Sequence, residues 1–202
     1  IVLLGLVAVA AGLLAIGLVP RSGIVSVSAT TWTGLYSPRA VAIGDYDNDG
    51  LNDIAFTEGP WYPAWSRVTV YKSDGTTIIK QWTELINAGS VAIGDYDNDG
   101  QNDIAFCEFG NLWVYKSDGT TVLKHLTGNT DIGGVAIGDY DNDGLNDLAV
   151  AYDEPTNMVT VYKNNATTII KQWTGLNCPN QGLAIGDYDN DGLNDIAFSE
   201  YY

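Results

Sequence analysis

Positive charge is scarce in this sequence: nine Lys and Arg stand against 25 Asp and Glu, for a formal net charge of −16. There is no basic patch to meet a phosphate backbone, which excludes nucleic acid as a partner. Histidine is represented by His125 alone, on an outer-strand pattern where a solvated position is the plain reading. Two cysteines, Cys107 and Cys178, are too few for a thiolate metal motif and allow one disulfide at most. A pair of small buried thiols accounts for them equally well. A convincing helical period is missing from residues 24–202. No nucleophile stands beside a base, and most acids belong to one kind of loop. Nothing here calls for an enzyme.

What the sequence does contain is aspartate in a fixed, repeated arrangement. VAIGDYDNDGLNDIAF at 41–56 returns as VAIGDYDNDGQNDIAF at 91–106, VAIGDYDNDGLNDLAV at 135–150 and LAIGDYDNDGLNDIAF at 183–198. The leading aspartates, Asp45, Asp95, Asp139 and Asp187, are 50, 44 and 48 residues apart. A second module repeats between them: VTVYKSDGTTIIKQWTEL at 68–85, LWVYKSDGTTVLKHLTG at 112–128 and VTVYKNNATTIIKQWTGL at 159–176.

Each unit reads as four short strands, V-A-I-G-D, N-D-I-A-F, V-T-V-Y-K and T-T-I-I-K-Q-W-T, separated by Gly, Asp and Asn turns. Four-stranded units at this period predict a mainly β fold, a small four-bladed propeller. Alternation places Val41, Ile43, Ile54 and Phe56 on one sheet face and Ala42 and Ala55 on the other. The large face of one blade is expected to pack on the small face of its neighbour. The last unit stops at SEYY, after its second strand, while IVSVSATTWTGL at 24–35 has the outer-strand pattern. The expectation is that this segment completes the last blade, with Trp32 matching Trp82 and Trp173.

The loops carry the chemistry. Calcium takes six to eight oxygens, mixing carboxylates with backbone carbonyls. In the first loop the candidate ligands are Asp45, Asp47, Asp49, the carbonyl of Leu51, and Asp53, with Gly50 permitting the turn. The second offers Asp95, Asp97, Asp99, Gln101 and Asp103, and the third Asp139, Asp141, Asp143, Leu145 and Asp147. The fourth offers Asp187, Asp189, Asp191, Leu193 and Asp195. Up to four Ca²⁺ would bring the charge to about −8. An EF-hand is rejected, because Phe56 holds the twelfth position where that motif needs a bidentate Glu. The plain alternative is a set of acidic β-turns without metal.

The A-x-G-D-x-D-x-D-G-x-x-D pattern, followed by an apolar strand, resembles the FG-GAP repeat of integrin α-chain propellers and related bacterial surface proteins. The resemblance covers 24–202. It implies that each loop joins the two innermost strands of a blade and holds calcium structurally, through the aspartates just named.

Residues 1–20, IVLLGLVAVAAGLLAIGLVP, contain no charged or polar side chain and are long enough to span a bilayer as a helix. An uncharged N-terminal helix ahead of a β head resembles a type IV pilin of the archaeal kind, which implies a membrane-inserted precursor and a filament core. The domain reading is therefore a helix at 1–23 and a calcium-binding propeller head at 24–202. The expected role is a structural subunit of an extracellular pilus-like filament, assembled by self-association through residues 1–20. The alternative is a membrane-anchored adhesin or glycan-binding propeller. Its candidate contact residues are Trp61, Tyr62 and Trp65 in the non-repeated insertion. Asn165-Ala166-Thr167 is a possible glycosylation sequon.

Overall fold

The computed structural model describes residues 6–9, 12–17 and 28–31 as backbone strands, and 35–60, 64–127, 132–179 and 182–201 with their side chains. The chain divides into two compact units, Ile1–Tyr36 and Ser37–Tyr202. The boundary expected between residues 23 and 24 falls outside the described residues.

In the first unit β1 (Leu6–Val9), β2 (Gly12–Gly17) and β3 (Ser28–Thr31) form a three-stranded antiparallel sheet in that order. This corrects the helix expected over residues 1–20, of which the remaining positions lie outside the described residues. An unbroken apolar run has neither a 3.6 nor a 2 period, so length alone had argued for a helix. Gly12 and Gly17 are poor helix formers, at about 1 kcal/mol each, while Val7, Val9 and Ile16 suit strands. Among the described residues no helix is long and apolar enough to cross a membrane.

Of segment 24–35, expected to complete the last blade, residues 28–31 are described as a strand and residues 24–27 and 32–34 lie outside the described residues. β3 is committed to β2, with Leu14 opposite Thr31 and Gly17 opposite Ser28. An outer-strand pattern specifies a sheet edge but not which one, and β2 is the closer partner along the chain.

The second unit follows the repeat. β4 (Pro38–Gly44), β5 (Asp53–Glu58), β6 (Trp65–Tyr71) and β7 (Ile78–Ile86) form the first four-stranded antiparallel sheet. β8 (Ala88–Gly94), β9 (Asp103–Glu108), β10 (Asn111–Tyr115) and β11 (Val122–Thr127) form the second. β12 (Ile132–Gly138), β13 (Asp147–Tyr152), β14 (Met158–Tyr162) and β15 (Ile169–Thr174) form the third. β16 (Leu183–Gly186) and β17 (Asp195–Phe198) make a two-stranded fourth. These four antiparallel sheets make a propeller-like repeat fold.

Register pairs Val41 with Phe56, Ala42 with Ala55 and Ile43 with Ile54, which sorts large and small residues to opposite faces. The small face of each of the first three sheets packs on the large face of the next. Ala55, Val68 and Val70 share one core with Val91, Ile104 and Phe106. Ala105, Leu112 and Val114 share another with Val135, Leu148 and Val150, and Ala149 and Val161 pack with Leu183, Ile185 and Ile196. Glycine makes the approach possible at the end of the first strand in the first three sheets, at Gly44, Gly94 and Gly138. A Cβ added to Gly94 would stand 2.9 Å from Ile137 Cγ2, far inside contact distance.

Candidate metal centres

Each loop joins the first and second strands of its sheet, and all four share one backbone conformation. Asn48, Asn98, Asn142 and Asn190 are left-handed at φ 58–62°, and the glycines two residues on have φ 89–90°. Asn and Gly tolerate that region, so the D-x-D-N-D-G order closes the turn without strain.

The carboxylates organise the loop by accepting amide hydrogens. In the first loop Asp45 accepts the N–H groups of Asp49 and Gly50 at 3.0 and 2.9 Å. Asp49 Oδ1 accepts from Leu51 at 3.0 Å. Asp53 Oδ2 accepts from Tyr46 and Asp47 at 3.0 and 3.2 Å, and its Oδ1 from Ser73 at 3.0 Å. Asp103 repeats this with Tyr96, Asp97 and Ser117.

Three of the four aspartates in each loop converge, with ligand oxygens within 4.8 Å of one another: Asp45, Asp47 and Asp53; Asp95, Asp97 and Asp99; Asp139, Asp141 and Asp147; Asp187, Asp189 and Asp195. Asp49, Asp103, Asp143 and Asp191 stand outside these triads. The carbonyl-bearing candidates Leu51, Leu145 and Leu193 have exposed side chains at the loop tips, and Gln101 Oε1 accepts the Ser117 hydroxyl at 2.9 Å.

Asp53, Asp103 and Asp147 are buried. Desolvation pushes the carboxyls of Asp103 and Asp147 up to about 6 and raises that of Asp53. Asp47 Oδ1 is buried with no protein partner. Converging carboxylates, some buried against amides alone and one oxygen left unpaired, fit a cation. The all-oxygen donor set selects a hard one.

One feature escaped sequence reasoning. Lys72, Lys116 and Lys163, each directly following a third strand, place their ammonium groups on two loop aspartates. Lys72 meets Asp47, and Asp49 at 3.1 Å; Lys116 meets Asp97 and Asp99 at 2.7 and 2.6 Å; Lys163 meets Asp141 and Asp143 at 2.7 Å each. These hydrogen bonds hold the three amines above the ordinary lysine range. The available signal was the lysine repeated in every V-Y-K.

Adjoining sheets also tie the loops together. Tyr46 and Tyr96, from the first two loops, are buried, whereas Tyr188 is 87% exposed. Asn146 and Asn194 each donate to the leading aspartate carbonyl of the preceding loop, at 2.8 and 2.6 Å.

The remaining sequence candidates serve packing or lie outside the description. Trp82 packs on Phe106 and Tyr115 at 5.4 and 5.6 Å, and Trp173 on Phe198 at 5.6 Å. His125 is exposed and stacks on Trp113 at 3.6 Å. Trp32, Trp61 and Tyr62 lie outside the described residues; Trp65 opens β6 and is 63% exposed. Asn165 accepts the N–H groups of Thr167 and Thr168 at 2.8 and 2.9 Å, as Asp74 does from Thr76 and Thr77 in the first sheet. Cys107 and Cys178 are free thiols, and burial pushes the Cys107 thiol up.

Three overlapping stretches, residues 45–106, 95–150 and 139–198, match the model of the FG-GAP-like repeat. No curated protein matches the sequence. Among solved structures, Bacillus licheniformis rhamnogalacturonan lyase PL11 shares 15% identity over 93% of this chain and 47% of its own, at a TM-score of 0.58. BBS1N, solved in complex with ARL6DN, shares 15% over 83% of this chain and 51% of its own, at 0.59. The exotype rhamnogalacturonan lyase YesX shares 16% over 91% and 40%, at 0.56. At such identity the likeness is one of fold, and the chain spans about half the length of these proteins or less. With repeats matched from residue 45 to residue 198, this chain belongs to the FG-GAP-like repeat family.

Proposed function

We propose that this chain is a calcium-stabilised, non-catalytic repeat scaffold that works outside the cytosol as an element of a surface assembly. The observation that carries the reading is the convergence of three carboxylates within 4.8 Å in each of four like-folded loops. Within that frame the converging triad of each loop, with the fourth aspartate beside it, would hold the ion, which would supply positive charge where aspartates gather. Binding to the folded form alone stabilises it by mass action. Short loops of this kind, with several partly or fully exposed ligands, suit the weak affinities of extracellular modules, roughly 10⁻⁴–10⁻³ M, and hence a calcium-rich medium. The filament-core role of residues 1–20 relied on a continuous helix, and with Leu6–Val9 and Gly12–Gly17 as strands it loses that footing.

Scanning calorimetry with calcium, with chelator, and with calcium restored tests the reading. Calcium is expected to raise the melting temperature of the second unit reversibly. An unchanged transition, with no metal found by elemental analysis, would overturn it.

A second reading, glycan or receptor binding, is favoured by the exposure of Trp65 beside the aromatic insertion. Trp65→Ala would then abolish retention on a glycan array without altering the calcium response.

A further inference from the structure

We propose that Lys72, Lys116 and Lys163 are built-in competitors for calcium: their ammonium groups occupy three of the loops when metal is absent and leave when it binds. The inference rests on the calcium reading, and it concerns how the chain's own residues grade that binding.

The lysine backbones are fixed. Lys72 N–H donates to the Thr77 carbonyl at 2.8 Å and its own carbonyl accepts from Gly75 at 2.8 Å; Lys116 and Lys163 repeat both bonds with Thr121 and Gly119, and with Thr168 and Ala166. Only the four-carbon stem is adjustable, and it delivers a compact cation to the same pair of aspartates three times over.

In the second loop both lysine partners, Asp97 and Asp99, belong to the converging triad, so the oxygens involved are among those a metal would need. Asp97 Oδ1 and Asp99 Oδ1 already accept N–H groups from Asp99 and Gln101, at 3.2 and 3.0 Å. Their remaining oxygens, both Oδ2, are the ones that meet Lys116 at 2.7 and 2.6 Å. A divalent ion and an ammonium cannot share these two oxygens without strong like-charge repulsion. The lysine side chains are about one-third exposed, at 30–36%, so a short rotation of the stem returns the ammonium to water.

The fourth loop shows that the lysine is not needed for loop shape. Among the described residues no lysine or arginine pairs with Asp187, Asp189, Asp191 or Asp195. Yet Asn190 and Gly192 have φ of 62° and 90°, against 58° and 89° for Asn48 and Gly50. The lysines therefore act on charge. They relieve carboxylate repulsion in the metal-free loops and in exchange weaken calcium there.

The test compares the full chain with its K72M/K116M/K163M and K72R/K116R/K163R variants by calorimetric calcium titration. The Met variant keeps the stem and removes the charge, so it is expected to bind calcium several-fold more tightly, while the Arg variant stays near the wild type. In the wild type, acetylation of Lys72, Lys116 and Lys163, followed by mass spectrometry, should accelerate on adding calcium, with Lys80 and Lys171 unchanged. Equal or weaker calcium binding by the Met variant, or acetylation rates indifferent to calcium that has bound, would overturn the inference while leaving the calcium reading intact. Absence of calcium binding in all three proteins would overturn both together.

Discussion

The side-chain amide of Asn102 donates to the main-chain carbonyl of Asp45 at 2.7 Å, across 57 residues of chain, while the Asn102 N–H meets Asn48 Oδ1 at 3.1 Å. Two loops from adjoining sheets are thereby joined at their tips. The penultimate Asn of the D-x-D-N-D-G-x-N-D motif is thus an inter-sheet tie, which a reading of each loop alone would not reveal.

Asn102→Ala should therefore destabilise the second unit by about 1–3 kcal/mol, because it leaves a part-buried carbonyl unsatisfied. Asn52 holds the same motif position but is exposed and makes no such bond among the described residues, so Asn52→Ala should stay within about 0.5 kcal/mol. Urea unfolding of both variants measures the difference, and equal effects would contradict the tie.

Gly94→Val should cost about 1–3 kcal/mol by overpacking, since the added Cβ meets Ile137 at 2.9 Å. A Cβ on Gly186 meets nothing within 4 Å, so Gly186→Ala should be nearly neutral. Thermal melts of the pair test whether sheet spacing is set by the glycine and isoleucine pairing.

The calcium response should depend on pH. Asp103 and Asp147 have carboxyls pushed up to about 6 by burial. Without metal, a carboxyl raised in the fold contributes stability fully present below its unfolded value, near 3.9, and lost as pH rises through about 6. Calcium requires the ionised form, so protons compete with it over the same window. The calcium-induced rise in melting temperature should be full near pH 7.5 and shrink as pH falls through about 6. Calorimetry at paired pH values measures it, and an increment that grew on acidification would contradict the assignment.

Trp82→Ala should cost about 2–4 kcal/mol, because the half-buried indole bridges from the first sheet to Phe106 and Tyr115 of the second. Trp82→Leu should recover part of that loss, since Leu126 fills the equivalent position in the second sheet. Denaturant unfolding of the two variants ranks them.

The strands and loops of the second unit were legible because their signals are local. Alternation over V-A-I and D-I-A-F, and Asn-Asp-Gly chemistry at each turn, determine strand, face and loop shape within a dozen residues, and repetition removes the ambiguity of any one copy. The aspartates could be named for the same reason. Tertiary structure decided what local signals cannot encode. It selected which three aspartates converge, a choice that differs between the second loop, where Asp99 joins Asp95 and Asp97, and the first and third, where Asp53 and Asp147 take that place. It brought Asn102 to Asp45 through sheet packing. It also made strands of residues 6–9 and 12–17 in the apolar run, where a segment without polar residues carries no period and pairing with neighbouring strands settles the conformation. In this chain local chemistry specified the repeat, and contacts between repeats determined how each site is charged and held.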